Sequence, residues 1–348
     1  MNTKFFIIIV FCLVFTKGKS IAQMPDSVKT YIDSALYIME SKSIYAKNLD
    51  WNKIRDSTYQ LGKKASNIQE SFIAIKYAFE QLNDSHGMLA SKSDYHRVPL
   101  SINFSEVLSP GIKSEFLKGN RFVHQFLPGN IAYLRVPTMP ITEQEDIDAL
   151  GNKLRNLLCE LLAENPSGLI LDLRMNSGGN SAPMLSGLGP IFHQEVIGYS
   201  VDKDGNLLNE IKLQDGVVIG ENGEKMVNIQ NSCMASPEMP IAVLIGPSTA
   251  SSGEILAYLL HAQPNVSAFG EPSLGFCNAT QGFFFMDQKG YLLLTVQMIA
   301  DANQSVNFDM KVIPDVYIKS DDNYENLLED VTVLPAIDWI KGSKSAHF

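Results

Sequence analysis

The 348-residue sequence has no long run of one charge sign and no low-complexity tract, and charged residues make up only 19% of it. Such a composition excludes a disordered or fibrous chain. A basic surplus is also missing. Lys and Arg number 28 against 38 Asp and Glu, a formal net charge of −10 with a pI near 5.1. A general binder of phosphate backbones needs the opposite sign, so nucleic acid is not an expected partner. The four cysteines and six histidines form no CxxC, HExxH or Cys/His cluster at metal spacing. A built-in zinc site is therefore not expected, and no cofactor is implied. What the chain does have is 45% apolar residues, enough for a sizeable core and more than one module.

The first 22 residues read as a secretory signal. Lys4 precedes an 11-residue apolar run, Phe5 to Phe15, and the small residues Ser20 and Ala22 follow at cleavage spacing. The run is short for a membrane span, so no stable insertion is expected once it is removed. Cleavage after Ala22 removes Lys4, Lys17 and Lys19, leaving 25 cationic against 38 acidic side chains, a net charge of −13. Cys159, Cys233 and Cys277 then remain, which allows at most one internal disulfide.

Residues 23–87 read as a small helical module. Val28, Tyr31, Ile32, Ala35, Leu36 and Met39 recur at helical spacing, as do Phe72, Ile75, Phe79 and Leu82. Asn67 and Glu70 form a candidate capping box, Asn48–Trp51 a turn into a short middle helix, and Gly87 a candidate C-terminal breaker. Residues 88–130 read as a connecting segment. From 131 to about 330 the pattern is α/β: a strand at 131–136, an amphipathic helix at 144–163, and a nearly all-apolar strand from Gly168. A second buried strand at 241–245 feeds another helix through Ile255, Leu256, Leu259 and Leu260. Residues 204–235 are polar and turn-rich and read as an insertion, and 331–348 as a C-terminal tail.

Both buried strands run into loops of small residues. Ser251 lies where the 241–245 strand turns into its helix, flanked by Ala250, Ser252 and Gly253. That placement exposes a hydroxyl near free helix N–H groups, although capping alone would use the same residues, and Thr249 departs from a Gly-x-Ser-x-Gly elbow. Gly178-Gly179 can bring a backbone N–H close to a substrate or simply make a tight turn. The loop lacks the Lys-Ser/Thr ending of a phosphate cradle. His86 is the candidate base, since a serine nucleophile needs a proton acceptor within hydrogen-bond reach.

Taken in order, Leu49-Asp50-Trp51, Leu82–His86, Ile131–Val136, Leu171–Arg174 with Asn176 and Gly178-Gly179, Thr249–Glu254, Gly270–Gly275 and Ile313–Asp315 resemble one family. It is the tail-specific, or C-terminal processing, family of serine peptidases, in its tricorn-like branch. The resemblance implies a crotonase-like α/β core behind the helical module, a peptide or protein substrate, and no metal or organic cofactor. It implies Ser251 as nucleophile, His86 as general base, Gly179 and Ser252 as oxyanion-hole N–H donors, and Ser85 supporting the charged network. The processing branch places a lysine base where this chain has Phe276, which cannot take a proton. The acidic orienter implied is Asp309, one residue nearer Pro314-Asp315 than the usual pattern, with Asp301 and Glu271 as fallbacks; Glu254 is expected to anchor the helix start. Only 88–130 is available for a PDZ domain, too little for one. Two other readings use the same residues: a binding protein on this fold without turnover, and an esterase-like hydrolase.

Overall fold

A computed structural model describes residues 24–345. The secretory signal expected at residues 1–22 and the end of the expected tail lie outside the described residues. The chain opens with helices α1 (Asp26–Lys42), α2 (Trp51–Gly62) and α3 (Phe72–Leu82). Strands β1 (Met88–Ser91) and β2 (Tyr95–His96), helices α4 (Phe104–Val107) and α5 (Pro110–Leu117), and strands β3 (Val123–Leu127) and β4 (Ile131–Arg135) follow. Next come α6 (Gln144–Ala163), β5 (Gly168–Asp172), α7 (Ser181–Gly187), β6 (Val196–Val201), β7 (Leu207–Gln214) and β8 (Val217–Ile219). The chain continues with β9 (Ile241–Ile245), α8 (Ser252–His261), β10 (Val266–Gly270), β11 (Asn278–Phe285), β12 (Gly290–Asp301), β13 (Val316–Tyr317) and α9 (Val333–Ser345).

Two sheets divide these strands. One is mostly parallel, in the order β13-β10-β9-β5-β4-β3, with only β3 running antiparallel to its neighbour. Its central strands β4, β5 and β9 are buried at every position, as their apolar runs require of strands covered on both faces. Alternate residues serve the two sides. Leu134, Leu169, Leu171, Ile241 and Val243 meet α6, α7 and α8, whereas Tyr133, Ile170, Ala242 and Leu244 meet α9. The second sheet is antiparallel, in the order β2-β1-β12-β6-β7-β8 with β11 added on β12. Leu89, Phe285, Leu292 and Leu294 of this sheet pack on Val28, Tyr31, Ile32, Ala35, Ile75 and Phe79 of α1 and α3. Each large aliphatic side chain so buried contributes about 1.5–3 kcal/mol of hydrophobic free energy.

Several local readings change. Helix α3 ends on Asn83 in the left-handed conformation (φ 54°), so Asn83 is the breaker. Gly87 instead leaves room for the Asp84 carboxylate, 2.8 Å from where a Cβ would sit. Asn67 and Glu70 do exchange hydrogen bonds, but they close a turn ahead of α3, which starts at Phe72. Residues 88–130 contribute three strands to the two sheets. The C-terminal segment expected as a tail is helix α9, with Val333, Ala336, Ile337 and Ile340 buried. The insertion is a hairpin, β7–β8, that extends the antiparallel sheet.

The end of that insertion is tied down twice. Cys233 is disulfide-bonded to Cys159 on α6, 74 residues away in sequence, and Cys277 is a free, buried thiol. One turn earlier on α6, the buried Arg155 donates to the carbonyls of Ser186, Gly187, Gly216 and Asn231. Replacing Cys159 and Cys233 together by Ala is expected to lower the unfolding free energy by about 4 kcal/mol, the chain-entropy value for a loop of this length. Urea denaturation of the oxidised wild type against the double variant measures it; equal midpoints would show that the tether contributes nothing.

Candidate active site

The two parallel strands β5 and β9 end side by side and release their loops at the same edge of the sheet, where open α/β sheets place their ligands. After β5 the chain passes Leu173, Arg174 and Asn176 into Gly178-Gly179. After β9 it passes Ser248 and Thr249 into Ser251. Side chains lock the loops together. Thr249 Oγ1 donates to the Leu173 carbonyl at 2.9 Å, Ser248 Oγ to the Arg174 carbonyl, and the Ala250 N–H to the Asn176 carbonyl at 3.0 Å.

Beneath both loops lies Arg174, 1% exposed. Its guanidinium meets Asp172 through Nε at 3.0 Å and Nη2 at 2.6 Å, and Asp322 and Asp330 through Nη1 at 2.6 and 2.9 Å. Burial works against each charge here. At Asp172 the Arg174 charge and its hydrogen bonds override that cost and hold the carboxyl below the usual range. At Asp322 burial wins, helped by the neighbouring Asp330 and Asp172, and the pKa is raised. Asp330 also accepts the N–H groups of Thr332 and Val333 at the start of α9, which joins the C-terminal helix to the loops.

Ser251 stands at the first turn of α8 with φ 54° and ψ −124°, a conformation L side chains rarely adopt and one that stores about 1–3 kcal/mol of strain. The contacts around it over-determine that geometry. Its N–H donates to the Glu254 carboxylate at 2.8 Å. Gly178 (φ 99°) lies so close that a Cβ there would stand 2.6 Å from the Ser251 Cβ. Ser252 Oγ donates to the Gly179 carbonyl at 2.6 Å. Among the described residues the N–H groups of Gly179 and Ser252 donate to nothing. The Ser252–Gly179 bond ties the Gly178-Gly179 loop to the residue that follows Ser251.

Glu254 is the hinge of the site. It is fully buried, and besides Ser251 it accepts Ser273 Oγ and the N–H groups of Gly275 and Phe276, the last two at 2.6 and 2.7 Å. Desolvation raises its pKa despite these donors. Through Phe276 the connection reaches His86. The imidazole stacks on the Phe276 ring at 4.5 Å with an interplanar angle of 1°. His86 Nδ1 lies 2.7 Å from Asn278 Oδ1. The loop carrying His86 is fixed by Asp84, which is fully buried and accepts the N–H groups of His86, Gly87 and Thr295 together with Thr295 Oγ1. Thr295 borders a bulge in β12, where the register against β11 shifts and the strand is re-aimed. No hydrogen bond joins Ser251 to His86 among the described residues.

The structure therefore gathers Ser251, Gly179 and Ser252 at one elbow and links His86 to it through Phe276 and Glu254. It does not bring Asp309 to His86. Asp309 is exposed, because the chain turns Met310 (φ 54°) inward instead, and Met310 Sδ accepts from Asn278 Nδ2 at 3.2 Å. The fallbacks are spent elsewhere: Asp301 caps the turn to Ser305, and Glu271 accepts the Ser320 N–H. Ser85 makes no side-chain hydrogen bond among the described residues; its neighbour Asp84 does the holding. Asn278 and Asp84 were missed as functional candidates. Asp84 adjoins the Ser85-His86 pair and Asn278 follows the diagnostic Phe276 by two residues, so proximity in sequence was the available signal.

Two N–H groups without partners among the described residues beside a strained serine, with an imidazole linked to the same loop, have the parts of an acyl-transfer hydrolase on an α/β fold. The sequence profile of peptidase family S41 matches residues 130–318, more than half of the chain. The chain belongs to that family and is a serine-type peptidase. The nisin-resistance protein of Lactococcus lactis subsp. lactis is 24% identical over 318 residues, spanning 91% of this chain and 88% of that protein. A lipoprotein from Streptococcus agalactiae superposes with a TM-score of 0.65 at 22% identity, over 91% of this chain and 97% of that one. The photosystem II D1 C-terminal processing protease superposes with a TM-score of 0.58 at 14% identity, over 84% and 93%. At such identities the two structures are similar in fold.

Gly178→Ala is expected to abolish reactivity of Ser251 toward a fluorophosphonate, because the new Cβ displaces the elbow. Gly223→Ala makes the matched control. Gly223 also has positive φ (85°) but nothing lies within 4 Å of its Cβ position, so it carries the backbone strain alone. Equal labelling of the two variants would show that the close approach at Gly178 is unimportant.

Proposed function

We propose that the chain is an exported endopeptidase of the tricorn-like type, hydrolysing peptide bonds through an acyl-enzyme on Ser251. The observation that carries this reading is the strained serine beside Gly179 and Ser252, whose N–H groups have no partner among the described residues. His86 Nε2 takes the Ser251 hydroxyl proton as Oγ attacks the carbonyl carbon. The negative charge gathers on the carbonyl oxygen between the Gly179 and Ser252 N–H groups, the latter at the positive end of α8. The imidazolium then gives its proton to the leaving amine, and water, activated by the same ring, releases the acyl group. The fold is read as a crotonase-like core with the N-terminal helices packed against its second sheet.

A cleft of about 570 Å³ runs from the oxyanion loop under the β7–β8 hairpin, lined among others by Asn180, Ser181, Leu208, Ile211, Val218 and Gln297. It gives an extended peptide a place at Asn180, next to Gly179, among both apolar and polar side chains. Export accounts for the apolar run at Phe5–Phe15 and for a disulfide in a domain large enough to fold without one. The streptococcal lipoprotein and the lactococcal relative support an envelope or extracellular location, and they make nisin one substrate to test.

Mass spectrometry of the fluorophosphonate-treated protein is expected to find the adduct on Ser251. Ser251→Ala should remove it, and His86→Ala should slow its formation by roughly 100-fold or more. Circular dichroism of each variant checks the fold. A well-folded wild type that takes no adduct would reject the acyl-enzyme. Hydrolysis of peptides, nisin included, set against a nitrophenyl ester panel then separates a peptidase from an esterase.

A further inference from the structure

We propose that the group positioning His86 is the neutral amide of Asn278, with the Phe276 ring fixing the plane of the imidazole; no carboxylate among the described residues hydrogen-bonds to that imidazole. This rests on the reading of Ser251 and His86 as the acylating pair. Asn278 is 1% exposed and held on both ends. Its Nδ2 donates to Met310 Sδ, and a thioether sulfur has no hydrogen to give, so the amide is oriented with Oδ1 toward the imidazole. Oδ1 can only accept. His86 Nδ1 therefore carries the proton, and Nε2 is left with its lone pair free for Ser251. The hydrogen bond fixes one edge of the ring, and the parallel Phe276 face fixes its tilt.

The chemical consequence concerns charge. A carboxylate at this place would stabilise the imidazolium and raise its pKa, whereas an amide oxygen supplies a dipole without a net charge. The charged groups facing His86 are Asp84 on its own loop, which favours protonation, and Arg97 beyond β2, which opposes it. The β11 side offers Phe276 and Asn278, and the buried Cys277 thiol behind them is pushed well above its ordinary range by desolvation and by Glu254. Burial is the largest influence on His86 and lowers its pKa below the ordinary value of 6.5. The base thus stays neutral into mildly acidic conditions.

The test is the rate of fluorophosphonate labelling between pH 5 and 9, which needs no knowledge of the substrate. The wild type should show an acid limb below pH 6.5. Asn278→Asp should move that limb up by about one unit or more, as a carboxylate beside an imidazolium does. Asn278→Ala should slow labelling by roughly 10- to 100-fold, and Asp309→Ala should reproduce the wild-type profile. An unmoved limb in Asn278→Asp, or a collapse of labelling in folded Asp309→Ala, would overturn the assignment. Proton NMR titration of His86 in Ser251→Ala and in Ser251→Ala/Asn278→Asp gives the same answer without catalysis. Absence of labelling in the wild type would sink the acyl-enzyme reading, while the two titration curves would still decide what Asn278 does.

Discussion

One guanidinium organises the centre of this molecule. Arg174 sits at the foot of the loop after β5 and faces three carboxylates from widely separated stretches, Asp172, Asp322 and Asp330. Removing a charge of this kind from water costs several kcal/mol, and only dense pairing recovers it. With three acids around one base, burial raises the pKa of Asp322, and the neighbouring charges of Asp330 and Asp172 add to it. The Ser109 hydroxyl, the Tyr133 hydroxyl and the face of Tyr324 at 4.8 Å complete the enclosure. The floor of both loops at the edge of the parallel sheet is consequently rigid, and the strained backbone of Ser251 has something firm to be strained against.

The same logic of enclosure runs outward from Glu254. This carboxylate joins the Ser251 elbow to the segment from Ser273 to Phe276, and that segment carries the ring on which His86 lies. Asp84 performs the parallel service on the antiparallel sheet, where it ties the histidine loop to the β12 bulge. Two buried acids thus hold the two halves of the site, Glu254 in α8 and Asp84 in the loop after α3. Neither is in contact with the reacting bond. Their value is geometric, because a site for acyl transfer tolerates errors of only a fraction of an ångström in the position of its groups.

Much of this arrangement was legible in the sequence. The apolar run at Gly168–Leu173, the helical period of 144–163 and the small residues around Ser251 each express a local rule, and the structure follows them closely. Phe276 already excluded a lysine base. What escaped was set by tertiary packing. Asp309 and Asn278 are 31 positions apart, and no periodicity tells which of them meets an imidazole from residue 86. The answer depends on Met310 adopting a left-handed turn that points its own side chain inward and leaves Asp309 in solvent. The second sheet escaped for a related reason: β1 and β2 are short, and β1 pairs with the distant β12, Met88 lying opposite Leu293. The segment after 331 looked like a tail because the face that α9 covers belongs to strands far upstream.

The dependence of Arg174 on Asp322 and Asp330 bears on when the molecule acquires its chemistry. A growing chain that has reached residue 300 already contains the serine, the histidine and both glycines. It lacks two of the three carboxylates that neutralise the buried guanidinium, and it lacks the helix that closes the second face of the parallel sheet. In such a chain the guanidinium would have Asp172 alone, and its Nη1 would lack both of the carboxylates that it meets in the folded molecule. Assembly of the loop floor is thereby coupled to the later segment that carries Asp322 and Asp330.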